Sequence, residues 1–291
     1  MSRNASGGAT PPRFTASNSP PSLWNSPLSI EQTTPTSAPV GILARIVLLG
    51  LVAAGGLLAS VTLQPPLPWL PWLTAALVGF AGDGIVRRHP EWPEGRPVDA
   101  IVSAILPALA ALGAALFIDR FVDGYARPAL AGFAALTVAA VTFGAYQTVD
   151  VRARLYAPFR LVMAVATYVV AFSHVLVLVD GDLPLPASAA LVGLVTALLA
   201  IELLRESRIT GPAPFLVSLA IGLSLAELRL ALYYFPLDGL LAAALLIIAF
   251  YLATGIVHHL LDHDLQWSTA AEYAVVTLVT AAAVVVARLS V

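Results

Sequence analysis

From Val40 to Val291 the chain is a train of apolar segments, each long enough to cross a lipid bilayer, joined by short loops. This feature fixes the solvent before any motif is considered. Hydrophobic residues make up 59% of the sequence and charged residues 11%, with a mean hydropathy of +0.87. A water-soluble domain is nearer half apolar and a quarter charged, and its core has no room for so much apolar side chain. The expected fold is all-α: a polytopic transmembrane helical bundle over 40–291, preceded by a disordered tail over 1–39.

A transmembrane helix needs about 20 apolar residues at roughly 1.5 Å rise each. Nine segments qualify: 41–63, 68–86, 99–118, 128–148, 160–180, 186–204, 213–235, 238–260 and 268–289. No segment shows the alternation of a membrane barrel strand. Pro107 falls inside the third span, where its missing N–H and its ring should kink the helix. Residues 1–39 are rich in Ser, Thr, Pro, Asn and Gly. They carry too little apolar area to offset the entropy of ordering. The first apolar run begins about forty residues in, later than the core of a signal peptide, so an uncleaved cytosolic tail is expected.

Arginine supplies all fifteen cationic side chains, and its distribution sets the expected orientation. Arg87, Arg88 and Arg96 follow the second span, Arg152, Arg154 and Arg160 the fourth, and Arg205 and Arg208 the sixth. The stretches 64–67, 181–185 and 236–237 hold none. In 119–127, Asp119 and Asp123 accompany Arg120 and Arg127. These asymmetries predict a cell-membrane protein with a cytoplasmic N-terminus and an external C-terminus. The net charge of −2 gives no basic face for nucleic acid, and the absence of cysteine excludes disulfides and thiolate chemistry. The bilayer is the expected partner, with a second copy or a membrane subunit also possible.

Ionisable groups within a span are costly and are read first as functional candidates. His174 in span five and Glu227 in span seven each lie roughly 21 Å from their span's start, so the two can pair if their helices touch, and such a pair can exchange a proton. Arg229 points to another face. Asp83 and Arg87 stand at i, i+4 with the acid first, the favourable order for an intrahelical ion pair; Glu202 with Arg205 and Glu206 repeats the idea. If Asp83 faces the bundle, it lies at about the depth of His258 and Glu272, and a shared polar cavity becomes possible.

His259 and His263, also at i, i+4, share a helix face if the helix continues through Asp262, and Glu272 or Asp262 can complete a metal site. The pair resembles one box of the histidine-box membrane enzymes, the desaturases and hydroxylases. Those use several boxes, whereas this chain has five histidines in total. No cofactor is otherwise expected. Phe80-Ala-Gly-Asp-Gly-Ile-Val-Arg-Arg88 and Tyr251-Leu-Ala-Thr-Gly-Ile-Val-His-His259 are similar. Both would be second helices if the chain were three three-helix units, a pattern resembling transporter repeats. Phosphate loops, nucleophile elbows and His-Glu-x-x-His helices are absent. Three readings follow: a small-solute or proton-coupled permease-like protein, with His174 and Glu227 carrying protonation and Asp83 lining an inner vestibule; a non-catalytic scaffold or accessory subunit; and a membrane metalloenzyme built on His258, His259 and His263.

Overall fold

A computed structural model describes residues 40–92, 97–204, 213–261 and 271–279, together with Ala282 and Val286. Helices account for most of them: α1 Val40–Thr62, α2 Leu70–Val86, α3 Pro97–Phe121, α4 Ala126–Gln147, α5 Tyr156–Asp180, α6 Leu185–Leu204, α7 Ala213–Leu232 and α8 Gly239–Leu261. Residues 271–279 are also helical. The tail over 1–39 and, apart from 271–279, Ala282 and Val286, the ninth predicted span lie outside the described residues.

Seven helices are long and apolar enough to cross a membrane, so the chain has the build of a multi-pass membrane protein. The two predicted spans beyond those seven fare differently. α2 is apolar but has 17 residues, because the proline-rich stretch before it delays the helix to Leu70. At 1.5 Å per residue it reaches about 26 Å, just short of the ~30 Å hydrocarbon layer. Of the ninth, 271–279, Ala282 and Val286 are described, and all are helical.

Contacts at the helix ends establish an up-and-down course. At one end His89, after α2, meets Tyr146 of α4 with ring centroids 4.7 Å apart. At the same end Phe143 of α4 meets Phe159 of α5 at 5.2 Å. Arg160 of α5 donates to the Leu203 carbonyl of α6 at 2.8 Å. At the other end, Arg120 of α3 pairs with Asp180 of α5, and Arg229 of α7 reaches Ser188 of α6.

The helices group in fours, where the similar segments 80–88 and 251–259 suggested threes. In the first half, α2 packs most closely on α3, and α1 on α4; in the second, α6 packs most closely on α7, and α5 on α8. The first helix of each half opens with a related run, Arg45-Ile-Val-Leu in α1 and Arg160-Leu-Val-Met in α5. The segments 80–88 and 251–259 close the second and fourth helices of their halves, so they hold non-equivalent places. The halves join where α3 and α4 meet α5 and α6.

Small residues determine how near the helices come, since lipid gives little hydrophobic drive for helix association and packing must supply it. Ala189, Gly193 and Ala197 on α6 face Ser218, Gly222 and Ala226 on α7 at a small-xxx-small spacing. A Cβ on Gly193 would lie 2.8 Å from the Gly222 carbonyl oxygen and 2.9 Å from the Ala226 Cβ, and one on Gly222 would strike the Gly193 carbonyl. Gly79 of α2 likewise lies against Ala104 and Ala108 of α3. The core around these seams is mostly aliphatic, with Leu57, Leu106, Leu199 and Leu246 among its largest enclosed side chains beside the aromatic Phe250.

Gly193→Leu or Gly222→Leu should therefore force α6 and α7 apart, at a cost of about 1–3 kcal/mol from overpacking. Thermal unfolding in detergent should show a lower midpoint for either variant. Gly132→Ala, at a helical glycine with nothing near the added methyl, should hold or raise the midpoint, because alanine is the better helix former.

Candidate functional site

Thr74, Thr142, Thr167, Thr196 and Ser218 donate to carbonyls one turn back in their own helices, and a smaller set of polar side chains ties one helix to another. Near the end of α2, Asp83 is 7% exposed. Its Oδ2 pairs with the Arg87 Nε at 2.6 Å, the i, i+4 pair expected from the spacing. Its Oδ1 accepts a hydrogen bond from Ser103 of α3 at 2.5 Å, a partner that sequence spacing had no means of identifying across 20 residues. The carboxylate is thus held between two helices. α2 does not pack on α8, so Asp83 and His258 stand on helices that are not in contact: similar depth places groups in one layer without making them neighbours.

The same distinction separates His174 from Glu227. α5 and α7 do not pack together, because α6 and α8 each touch both and complete the ring between them. Glu227 is exposed on α7. His174 is buried on α5, where its ring lies against Gly113 of α3, so closely that a methyl there would strike it. Its Nδ1 lies 2.9 Å from the Val170 carbonyl one turn earlier, and its Nε2 has no hydrogen-bond partner among the described residues. The expected His174–Glu227 pair is therefore not formed.

Arg229 is buried on α7, on a different face from Glu227 as the sequence indicated. Its Nε donates to Ser188 Oγ at 3.3 Å, and that hydroxyl donates to the Leu178 carbonyl of α5 at 2.6 Å. One arginine thereby links α7, α6 and α5. Glu202, near the end of α6, is 2% exposed; Arg205 and Glu206 lie outside the described residues.

An aromatic seam joins α5, α8 and the 271–279 segment. Tyr168 and Thr254 share a hydrogen bond between hydroxyl oxygens 3.0 Å apart. Ring contacts run from Tyr168 to Tyr251 at 5.7 Å, from Tyr251 to Tyr273 at 5.6 Å, and from Tyr273 to His259 at 6.0 Å. Gly255 makes room for the Tyr273 ring. His259 thus faces an aromatic ring, with His258 6.0 Å away ring to ring, and Glu272 is exposed. His263, Asp262 and Asp264 lie outside the described residues. Among those described, no three His, Asp or Glu side chains are grouped to hold a metal ion.

Beyond the helix ends, the turn after α2 meets the α4–α5 loop. Glu91, Val149, Asp150, Val151 and Arg152 line a cleft of about 400 Å³. His89 accepts a hydrogen bond at Nδ1 from the Glu91 N–H, 3.1 Å away. Burial beside Tyr146 lowers the His89 pKa below the ordinary histidine value, against an upward pull from Asp150 and Glu91.

Asp83→Ala should lower stability by about 1–3 kcal/mol, because it removes the buried carboxylate that accepts from Ser103 and pairs with Arg87, and with it the tie between α2 and α3. Arg87→Gln should cost less than about 1 kcal/mol, since the Arg87 side chain is half exposed. Thermal unfolding in detergent ranks the two. For His89, the folded protein holds its proton less tightly than the unfolded chain does, so its contribution to stability is present at neutral pH. That contribution declines as pH falls below the unfolded histidine value and on through the lowered one. Melting followed from pH 8 to pH 5 should lose that component in His89→Gln.

No curated protein and no solved structure matches the chain. Residues 47–287 match DUF5656, a family described as "Protein of unknown function", and the chain belongs to that family.

Proposed function

We propose that this protein is a non-catalytic membrane scaffold or accessory subunit, with its arginine-bearing turns on the cytoplasmic face of the cell membrane. The observation that carries the reading is that four buried or partly buried polar side chains find partners on neighbouring helices. Asp83 meets Ser103, Arg229 meets Ser188, Tyr168 meets Thr254, and Arg160 meets the Leu203 carbonyl. Each contact ties one helix to another. A group so engaged fixes a helix's rotation and depth, which a presenting or bracing subunit requires. Its work would be to hold a defined surface in the bilayer for a second copy or a partner subunit.

A permease-like reading, for a small solute or coupled to protons, retains one supporting observation. His174 is buried at the α3–α5 seam with its Nε2 lacking a hydrogen-bond partner among the described residues, and a proton carrier needs such a site. Glu227, exposed on α7, has no part in that version.

Reconstitution separates the two. Proteoliposomes enclosing a pH-sensitive dye, with a proton gradient imposed across them, should lose the gradient no faster than protein-free vesicles. Proton flux that His174→Gln abolishes would replace the scaffold reading with the permease.

A further inference from the structure

The two ends of the bundle treat their arginines differently. At the end formed by the C-termini of α3, α5 and α7, the arginines are engaged within the chain, two of them by carboxylates. Arg120 pairs with Asp180 at 3.2 Å and approaches Asp182 at 3.7 Å. Arg127 pairs with Asp123 and donates to the Val122 carbonyl at 2.7 Å. Arg229 is buried on Ser188. At the opposite end, Arg87 and Arg160 are similarly engaged. Arg45, Arg88, Arg152 and Arg154 are exposed there, and no acidic side chain pairs with them among the described residues.

The loops bearing three of these arginines are ordered by their own hydrogen bonds. After α2, the N–H groups of Arg88, His89 and Trp92 donate to the carbonyls of Ile85, Val86 and His89. Between α4 and α5, the Arg152 N–H donates to Asp150 Oδ1 at 2.8 Å, and the Ala153 N–H donates to the Asp150 carbonyl at 3.1 Å. Within the run Val151-Arg-Ala-Arg-Leu155, Val151 is 69% exposed and Leu155 50% exposed, so exposed apolar and cationic side chains sit together. That combination suits the boundary between acyl chains and headgroups, where apolar groups enter and guanidinium groups meet phosphate.

We propose that residues 87–92 and 148–155, together with Arg45, form a binding surface for the headgroups of anionic phospholipids. The phosphates sit on the arginine rim. The adjoining cleft carries Glu91 and Asp150, whose carboxylates repel phosphate from its interior and leave Arg88, Arg152 and Arg154 as the contacts. The guanidinium fork suits phosphate oxygens better than an ammonium would. Lipid is the source of the phosphate because these arginines ring the ends of apolar helices and share a loop with exposed Val151 and Leu155. The surface is independent of whether the bundle scaffolds or transports.

The test is native mass spectrometry of the delipidated full chain in detergent, titrated separately with phosphatidylglycerol, phosphatidylcholine and inorganic phosphate. Wild-type protein should retain phosphatidylglycerol in preference to phosphatidylcholine. Arg88→Gln/Arg152→Gln/Arg154→Gln should weaken that retention by about tenfold or more, and Arg120→Gln at the opposite end should leave it unchanged. A salt titration of the unmodified protein needs no variant to fold: retention of phosphatidylglycerol should fall as ionic strength rises from roughly 0.1 to 0.5 M. Equal retention of the two lipids overturns the proposal, as does salt-independent retention, undiminished retention by a folded triple variant, or binding of inorganic phosphate as tight as that of lipid.

Discussion

A polar side chain buried between helices in hydrocarbon has no water to fall back on, and the rest of this structure depends on how that need is met. An unsatisfied hydrogen-bonding group in such surroundings costs several kcal/mol. The carboxylate of Asp83 and the guanidinium of Arg229 are therefore settled against serines of adjacent helices. Each tie requires close and exact helix placement. The small residues supply it: Gly193 against Gly222, Gly79 against Ala104 and Ala108, and Gly113 against the His174 ring. Backbone proximity and polar satisfaction are thus two sides of one arrangement.

The sequence was most legible where a single helix carries the information. The positions of α1 to α8 follow from runs of apolar residues and the punctuation between them. The Asp83–Arg87 pair follows from i, i+4 geometry alone. Legibility failed wherever lateral position mattered. His174 and Glu227 stand at matched distances along their spans, but rise per residue gives depth and says nothing of which helices are neighbours. Ser103 and Ser188 escaped notice because serine is unremarkable in a small-residue-rich span. The sole signal for Ser188 was its place among the small residues of α6 facing α7. The shortening of α2 was written in Pro65, Pro66 and Pro68, which end one element and delay the next.

The ends of the bundle extend the same logic into water and headgroups. Arg120 and Arg127 find counter-charges in Asp180 and Asp123. Among the described residues no acidic side chain pairs with Arg88, Arg152 or Arg154, and hydrogen bonds within their own loops hold those loops in shape. Polar ties between helices in the interior and one rim of exposed arginines are the two features on which the scaffold and lipid-headgroup readings rest.

The central claim is that Asp83, Ser103 and Arg229 tie helices together and that the buried polar residues do not line a watery path. Because the chain contains no cysteine, thiols placed singly by Ser103→Cys and His174→Cys in membranes can be probed with a charged, water-soluble thiosulfonate, with Arg152→Cys as the exposed reference. The account predicts rapid modification at 152 and none at 103 or 174. Modification at 174 approaching the rate at 152 would mean that water reaches the heart of the bundle, and would contradict it.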